Sequence, residues 1–455
     1  MTIRTRRFIY ISFIIAFLLI APLLVLYTAG YRWNSYHNRL QKIGSLVIRT
    51  MPRTVTIDVA DMHVTKTTPW RYNDLLPNEY VVTITKDGYD TWQKKLTIYQ
   101  GETTFAEHVY LFKNNSQPQL MSDTTIDYWT YQDKQNTSLF TAEGYLEQLN
   151  HRTNNQEKLT SLNQPVTDSA WSDDQNNLLL KTADGWHVWS TAHRNTLVDV
   201  NHNFKPSDGC IFRPGENNAI YCQDTTSVYE HHLITNETKT LVTTTSTEQI
   251  VDFIITDKIY YLSQDDMDGN VYLKIQDPLI ESHPDFLLPS SPNYHILNAG
   301  NNSVTILDEK NHILYLLNLS SEEESFNRSS RIIHDVNDVL FNARGDILYY
   351  NDWEVWIYRN NETQLITRQS QPITQAFWYP SDNHIGVLSE NGIKIIELDR
   401  RDQQNSTVVT AWEGIKKASL SKEAEHIYFV SREGNLFSLS ILDKDVGFER
   451  PSWTQ

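Results

Sequence analysis

The chain reads as all-β behind a single N-terminal membrane helix: a small β-sandwich, then a β-propeller of eight blades, with seven as the alternative. Three observations predict this. Phe8 to Tyr27 is a run of 20 residues without a charged side chain. From Ser45, short alternating runs separated by turn residues read as strands. Beyond residue 120, hairpin glycines recur near multiples of 42 residues, a spacing expected of propeller blades.

Composition sets the outer limits. The 455 residues are 40% apolar, enough for a sizeable core. Lys and Arg number 39 against 56 Asp and Glu, a net charge of −17. Six basic residues (Arg4, Arg6, Arg7, Arg32, Arg39, Lys42) and no acidic one fall in the first 42, which leaves 33 basic against 56 acidic groups, or −23, for the rest. So acidic a body is a poor match for phosphate backbones, and no nucleic-acid partner is expected. Two cysteines exclude a disulfide-rich scaffold and a Cys-rich zinc module.

At 1.5 Å per residue, Phe8 to Tyr27 spans about 30 Å, the thickness of a bilayer's hydrocarbon core. A cleaved signal peptide would have a shorter apolar run and a small-x-small site; Tyr27-Thr28-Ala29 puts a large ring there. An uncleaved anchor is the reading adopted, and a membrane helix tolerates Pro22. Arg4, Arg6 and Arg7 cluster before the span, so the amino terminus is expected inside and everything after about residue 30 outside. Tyr27, Tyr31 and Trp33 would form an aromatic belt at the outer interface. The expected order is a cytoplasmic tail (1–7), a transmembrane helix (8–27), a juxtamembrane linker (28–43), the sandwich (44–112), a linker (113–120) and the propeller (121–455).

In the sandwich, Leu46–Ile48, Val55–Val59, Tyr80–Ile84 and Lys95–Ile98 read as antiparallel strands, with turns at Pro52, Pro69, Asp74, Pro77-Asn78, Asp87-Gly88 and Gly101. Gly44-Ser45-Leu46-Val47-Ile48, Pro52, Thr68-Pro69, Leu75-Leu76-Pro77-Asn78-Glu79-Tyr80-Val81-Val82, Lys86-Asp87-Gly88-Tyr89, Trp92, Gly101 and Val109-Tyr110-Leu111 follow one another at spacings that resemble the PEGA domain, a β-sandwich module of bacterial surface proteins. The family's Pro-Glu-Gly-Ala stretch is Pro52-Arg53-Thr54-Val55 here, and its Gly before Glu-Tyr is Asn78. The resemblance implies a non-catalytic spacer or binding module outside the membrane.

The propeller carries two rulers. Gly144, Gly185, Gly269, Gly392 and Gly434 lie 41, 84, 123 and 42 residues apart, with missing members near Ser227, His312 and Asp352. Large apolar residues ending a first strand recur at Trp129, Trp171, Phe212, Ile254, Leu297, Phe341, Trp378 and Leu420. Each unit reads as four strands, with an Asp-Gly, Asn-Gly or Glu-Gly turn of hairpin twist in the middle. Eight units fit 121–450; with seven, the first or last would be an appendage. Phe212-Arg213-Pro214-Gly215 and Trp378-Tyr379-Pro380-Ser381 resemble turns of WD40-like and TolB-like propellers, although the Trp-Asp ending and Gly-His opening are absent.

Candidate sites are few. Cys210 and Cys222 flank the turn 214–218 at equal distance from Glu216, so a regular hairpin would oppose them at disulfide range. The alternative is a pair of reduced core thiols. Asp266-Met267-Asp268-Gly269-Asn270 resembles part of a calcium loop, but Gln264 and Ile275 occupy the end positions, which favours a plain hairpin turn. His231 and His232 are adjacent on a strand and point to opposite faces. Trp186 with Trp189, and Trp353 with Trp356, are spaced to pack into both faces of a blade rather than to form a sugar platform. Glu322-Glu323-Glu324 reads as a solvated loop. No nucleophile elbow, zincin, Walker or dinucleotide motif occurs, so neither catalysis nor a cofactor nor a metal is expected. The sequence points to a cell-membrane protein with its C-terminal domains extracytoplasmic, binding or scaffolding an envelope protein or glycan. An enzyme acting on polysaccharide and a structural surface-layer component are the alternatives.

Overall fold

The computed structural model describes residues 3–35, 38–60, 62–114, 116–200, 209–277, 285–289, 291, 293–300, 303–319 and 330–443. The Glu322–Glu324 stretch lies outside them.

The apolar run forms a helix over Ile3–Thr28, with Pro22 inside it. Its first turns take in Arg6 and Arg7, so it starts earlier than the charge-free run. Thr5–Thr28 is long and apolar enough to cross a membrane, and its apolar window has no buried residue. The segment expected as a linker is structured: Tyr31–Asn34 pairs with Arg39–Lys42 in an antiparallel hairpin.

The sandwich has seven strands in two sheets. Thr54–Val59 lies between Met62–Thr67 and Asn78–Thr85, and Trp92–Ile98 completes that sheet at its edge. Gly44–Met51 lies between Trp70–Leu75 and Thr103–Tyr110. Two points depart from the sequence reading. Gly44–Met51 runs parallel, not antiparallel, to Thr103–Tyr110, and the strands 62–67 and 70–75 occupy a stretch read as turns. Leu46, Ile48, Val55, Ile57, Val82, Ile84, Trp92 and Leu96 form the core. Gly44 is required by a close approach: a Cβ there would sit 2.5 Å from Tyr99 O and from Ile98 Cγ2.

The linker placed over 113–120 also ends early. Gln119–Ser122 pairs with Leu436–Ser440 and becomes the outermost strand of the last blade. The remaining blades take their four strands in chain order, over 128–161, 166–199, 210–243, 248–288, 294–334, 338–368 and 373–410; the eighth adds three strands over 415–440. The eight apolar residues of the second ruler all fall in inner strands. The glycines of the first ruler all turn at positive φ, and at Gly392 a close approach adds to this. Gly392 turns at φ +108°, and a Cβ would lie 2.0 Å from Thr410 O.

Apolar clusters fill every seam between neighbouring blades. Leu139, Leu178 and Trp189 join the first and second; Leu179, Trp186 and Ile220 join the second and third. The series continues to Phe140, Trp129, Tyr428 and Val430, which join the eighth to the first. A lone four-stranded sheet cannot bury both faces, and stacking around an axis solves this for every blade at once. The ring is closed.

Candidate functional site

In blades one and seven the first and third turns open on one face of the disc and the middle turn on the other. The sandwich sits on the first of these faces, over blades seven and eight. Lys94, fully buried, points at the end of the seventh blade's third strand, with Nζ 3.1 Å from Glu397 Oε2 and 3.5 Å from Asp399 Oδ2. Trp92 Nε1 donates to the same Glu397 carboxylate at 3.2 and 3.3 Å. Asp402 accepts from the Lys95 backbone N–H at 2.9 Å, and Arg401 donates to Phe105 O at 2.7 Å. The seventh blade thereby bonds one edge strand of each sheet of the sandwich, 92–98 and 103–110. Tyr110 and Phe112 pack edge-on against His384, at ring separations of 5.2 and 6.0 Å. Burial pushes that imidazole down to about 3, aided by His108 and Lys94.

Beside this joint, on the same face, a cavity of about 500 Å³ opens at the seam where blade eight meets blade one. The first and third turns of blade one supply Asn136, His151, Arg152 and Asn154; blade eight supplies Glu423, Glu425, His426 and Tyr428; the closing strand supplies Gln119 and Leu120. A ring stack forms its wall. His151 lies on Tyr428 with centroids 3.9 Å apart, and His426 lies near-parallel to Tyr428 at 6.1 Å. Tyr131 and Tyr428 both donate to Asn136 Oδ1, at 2.7 and 3.2 Å. Ser138 Oγ accepts from Trp129 Nε1 and bonds His151 Nε2, each at 2.8 Å. His151 Nδ1 is buried without a hydrogen-bond partner.

Electrostatics keep this wall neutral. Burial, helped by His426, pushes His151 down to about 4. Burial and then Lys113 lower His426. Burial pushes Tyr428 up to about 12. At neutral pH each imidazole therefore carries one donor and one acceptor, of which His151 Nε2 bonds Ser138 and His426 Nδ1 lies 3.3 Å from Ser438 Oγ, next to two carboxylates and a guanidinium. Such a surface can exchange hydrogen bonds with many hydroxyls at once. Among the described residues no three His, Cys, Asp or Glu side chains converge as a metal centre. Two smaller depressions share the face: one of about 440 Å³ around Phe377, Trp378 and Lys422, and one of about 260 Å³ between blades one and two, next to Arg194.

The residues singled out in the sequence lie elsewhere. Cys210 and Cys222 are direct cross-strand partners, joined by a disulfide with Cα atoms 4.2 Å apart. In the turn over 265–270 the carboxylates serve the turn itself. Asp265 Oδ1 accepts from Met267 N at 2.7 Å, and Asp268 Oδ1 accepts from Asn270 N at 2.9 Å. His231 is buried with Nδ1 2.9 Å from Thr238 Oγ1, while His232 faces Glu216. Trp186 and Trp189 pack into opposite seams of blade two. Trp356 packs on Tyr349, but Trp353 is 47% exposed in the middle turn of blade six and departs from the packing expectation.

The seam cavity was missed because its parts come from three distant stretches. A signal existed. The second strands of blades seven and eight open on His384 and His426, and no other blade's second strand opens on His.

Comparison with known proteins supports this architecture in part. The PEGA domain family model matches residues 43–109, the sandwich. No curated protein matches the chain. Among solved structures, one titled as a eukaryotic initiation factor is similar at 12% identity and TM-score 0.47, covering 71% of this chain and 90% of that one. Hsv2 of Kluyveromyces lactis is similar at 12% identity and TM-score 0.41, covering 62% and 95%. U3-55K is similar at 11% and 0.39, covering 71% and 98%. Likenesses this distant carry no inference about a ligand.

Proposed function

We propose that this chain is a membrane-anchored, extracytoplasmic binding protein of the cell envelope, and that it holds a glycan in the cavity between blades eight and one. It is a binder rather than an enzyme. The observation that carries the reading is the neutral wall of His151, Tyr428 and His426 around a buried, unpartnered His151 Nδ1. A buried polar atom without a partner is costly, and a ligand hydroxyl satisfies it. The cavity, about 500 Å³, lies within the usual size of small-ligand sites. The surface supports a small polar ligand over a broad protein partner. The exposed large apolar residues of the described propeller (Leu120, Tyr145, Val198, Ile234, Met267, Leu287, Ile332, Trp353, Val408) are distributed over all eight blades, no more than two to a blade, which speaks against one large apolar docking patch. The acidic body favours solubility next to an anionic membrane.

The test is titration of the detergent-solubilised full chain with envelope oligosaccharides, beside the Glu425→Gln and His426→Ala variants. Saturable binding that both variants weaken at least tenfold is expected. Binding indifferent to both would place the ligand elsewhere, and release of new reducing ends would replace the binder by a hydrolase.

A further inference from the structure

The hairpin between helix and sandwich is inside out. In its register Tyr31 opposes Lys42 and Trp33 opposes Leu40, whereas Arg32 opposes Gln41 and Asn34 opposes Arg39. Side chains alternate across a strand, so Tyr31, Trp33, Leu40 and Lys42 share one face and Arg32, Asn34, Gln41 and Arg39 the other. On the polar face Arg39 is exposed and the other three are largely covered. Asn34 and Gln41 are 5% and 6% exposed, and Arg32 reaches Asp74 of the sandwich at 3.3 Å. The apolar face is open: Trp33 is 60% exposed and Leu40 44%. Two large apolar side chains directly opposite each other, in a hairpin whose Asn34 and Gln41 are buried, do not suit a hairpin surrounded by water.

The hairpin is also rigidly joined to the apolar helix. Gly30, at φ +85°, ends the helix, and its carbonyl accepts from Ile43 N at 2.8 Å, which closes the hairpin at its base. Arg32 donates to Tyr27 O at 2.9 Å and stacks on the Tyr27 ring, 3.8 Å from its centroid. Gly101 N donates to Ile43 O at 3.1 Å and ties the base to the sandwich. Residues 29–43 contain Arg32, Arg39 and Lys42 and no acidic side chain. Apolar rings flanked by cations fit a phospholipid headgroup layer, where indole rings concentrate and lysine stems reach outward to phosphate.

We propose that the paired strands Tyr31–Asn34 and Arg39–Lys42 lie on the bilayer, with Trp33 and Leu40 seated in the headgroup layer. The pair thereby acts as a foot that fixes the tilt of the sandwich, and of the propeller docked on it, relative to the membrane. The proposal rests on the anchor reading above and adds a second contact, made by a sheet face rather than by the helix.

The test uses the full chain in phospholipid vesicles. Its two native cysteines are joined, so one introduced cysteine takes a nitroxide label selectively. Three single variants are compared by collision with oxygen and with a water-soluble nickel chelate: Leu40→Cys, Leu18→Cys in the helix and Thr65→Cys on the exposed edge of the sandwich. The expected result is an oxygen-to-nickel ratio at Leu40 several-fold above that at Thr65 and below that at Leu18. A Leu40 label as open to nickel as Thr65, with Leu18 deep in lipid, would overturn the foot and leave the anchor standing. A Leu18 label open to nickel would overturn the anchor and the foot with it.

Discussion

On one side of the last blade, at its seam with the seventh, the sandwich fills the gap. Lys94 is fully buried against Glu397 and Asp399, and aromatic rings enclose His384. On the other side, where the last blade meets the first, comparable residue types leave a cavity, and the buried Nδ1 of His151 has no partner. Both seams lie on the same face and both hold a histidine lowered by burial. One is a joint, in which Lys94 and Glu397 pair across the domains and rings enclose His384, whose Nδ1, like that of His151, has no hydrogen-bond partner. The other opens on a cavity, which gives a ligand access to the wall around His151. What separates the two seams is access, since leftover hydrogen-bonding capacity is common to both.

The largest effect should come from unpairing the joint. Lys94→Met leaves the Glu397 carboxylate, 4% exposed, without its cation. Breaking one partner of a buried pair costs about 3–5 kcal/mol. The urea midpoint should fall accordingly, and the connection near Lys113 should become open to trypsin. Glu397→Gln keeps the acceptor for Trp92 and removes the charge, so K94M/E397Q should recover at least half the loss. A Lys94→Met protein as stable as the parent would mean that the sandwich is not held by this pair.

A smaller effect, shared by both seams, is acid lability. His384 and His151 are pushed down to about 3 and about 4, against about 6.5 when unfolded. The unfolded chain therefore takes up protons first. Their contribution is complete above about pH 6.5 and is lost as pH falls toward the folded values. Each imidazole should remove about 2 kcal/mol between pH 7 and pH 5. His384→Phe should halve the combined loss, as read from urea midpoints at the two pH values. An unchanged loss in this variant would show that His384 is not buried neutral.

Legibility followed the same division. The blade count could be read because turn chemistry repeats: Gly392 and its counterparts need positive φ, and inner-strand residues such as Trp171 and Trp378 fill the same place in each unit. The sandwich was legible wherever strands alternate cleanly, as at Val55–Val59, and opaque at 62–75, where Lys66, Thr67, Thr68 and Pro69 look like a turn yet border two edge strands. Closure by Gln119–Ser122 was hidden because a polar strand can be recognised only by its partner, more than 300 residues away. For the same reason neither seam was legible. Lys94 and Glu397, or His151 and Tyr428, are unremarkable until ring closure and docking bring them together.

The smallest stability effect should come from the open seam, and it is the sharpest test of the contrast. His151→Phe keeps a ring on Tyr428 and removes both nitrogens. Ser138 retains its bond from Trp129 at 2.8 Å and loses the one to His151 Nε2. Removing the unpartnered Nδ1 costs nothing, and the broken bond costs about 1 kcal/mol, so stability read from urea unfolding at pH 7 should fall by about that amount. Oligosaccharide binding should nevertheless be lost, because the atom that lacked a partner is gone. Preserved binding with a large loss of stability would invert the assignment: His151 would then belong to a joint, and the two seams would differ in packing alone.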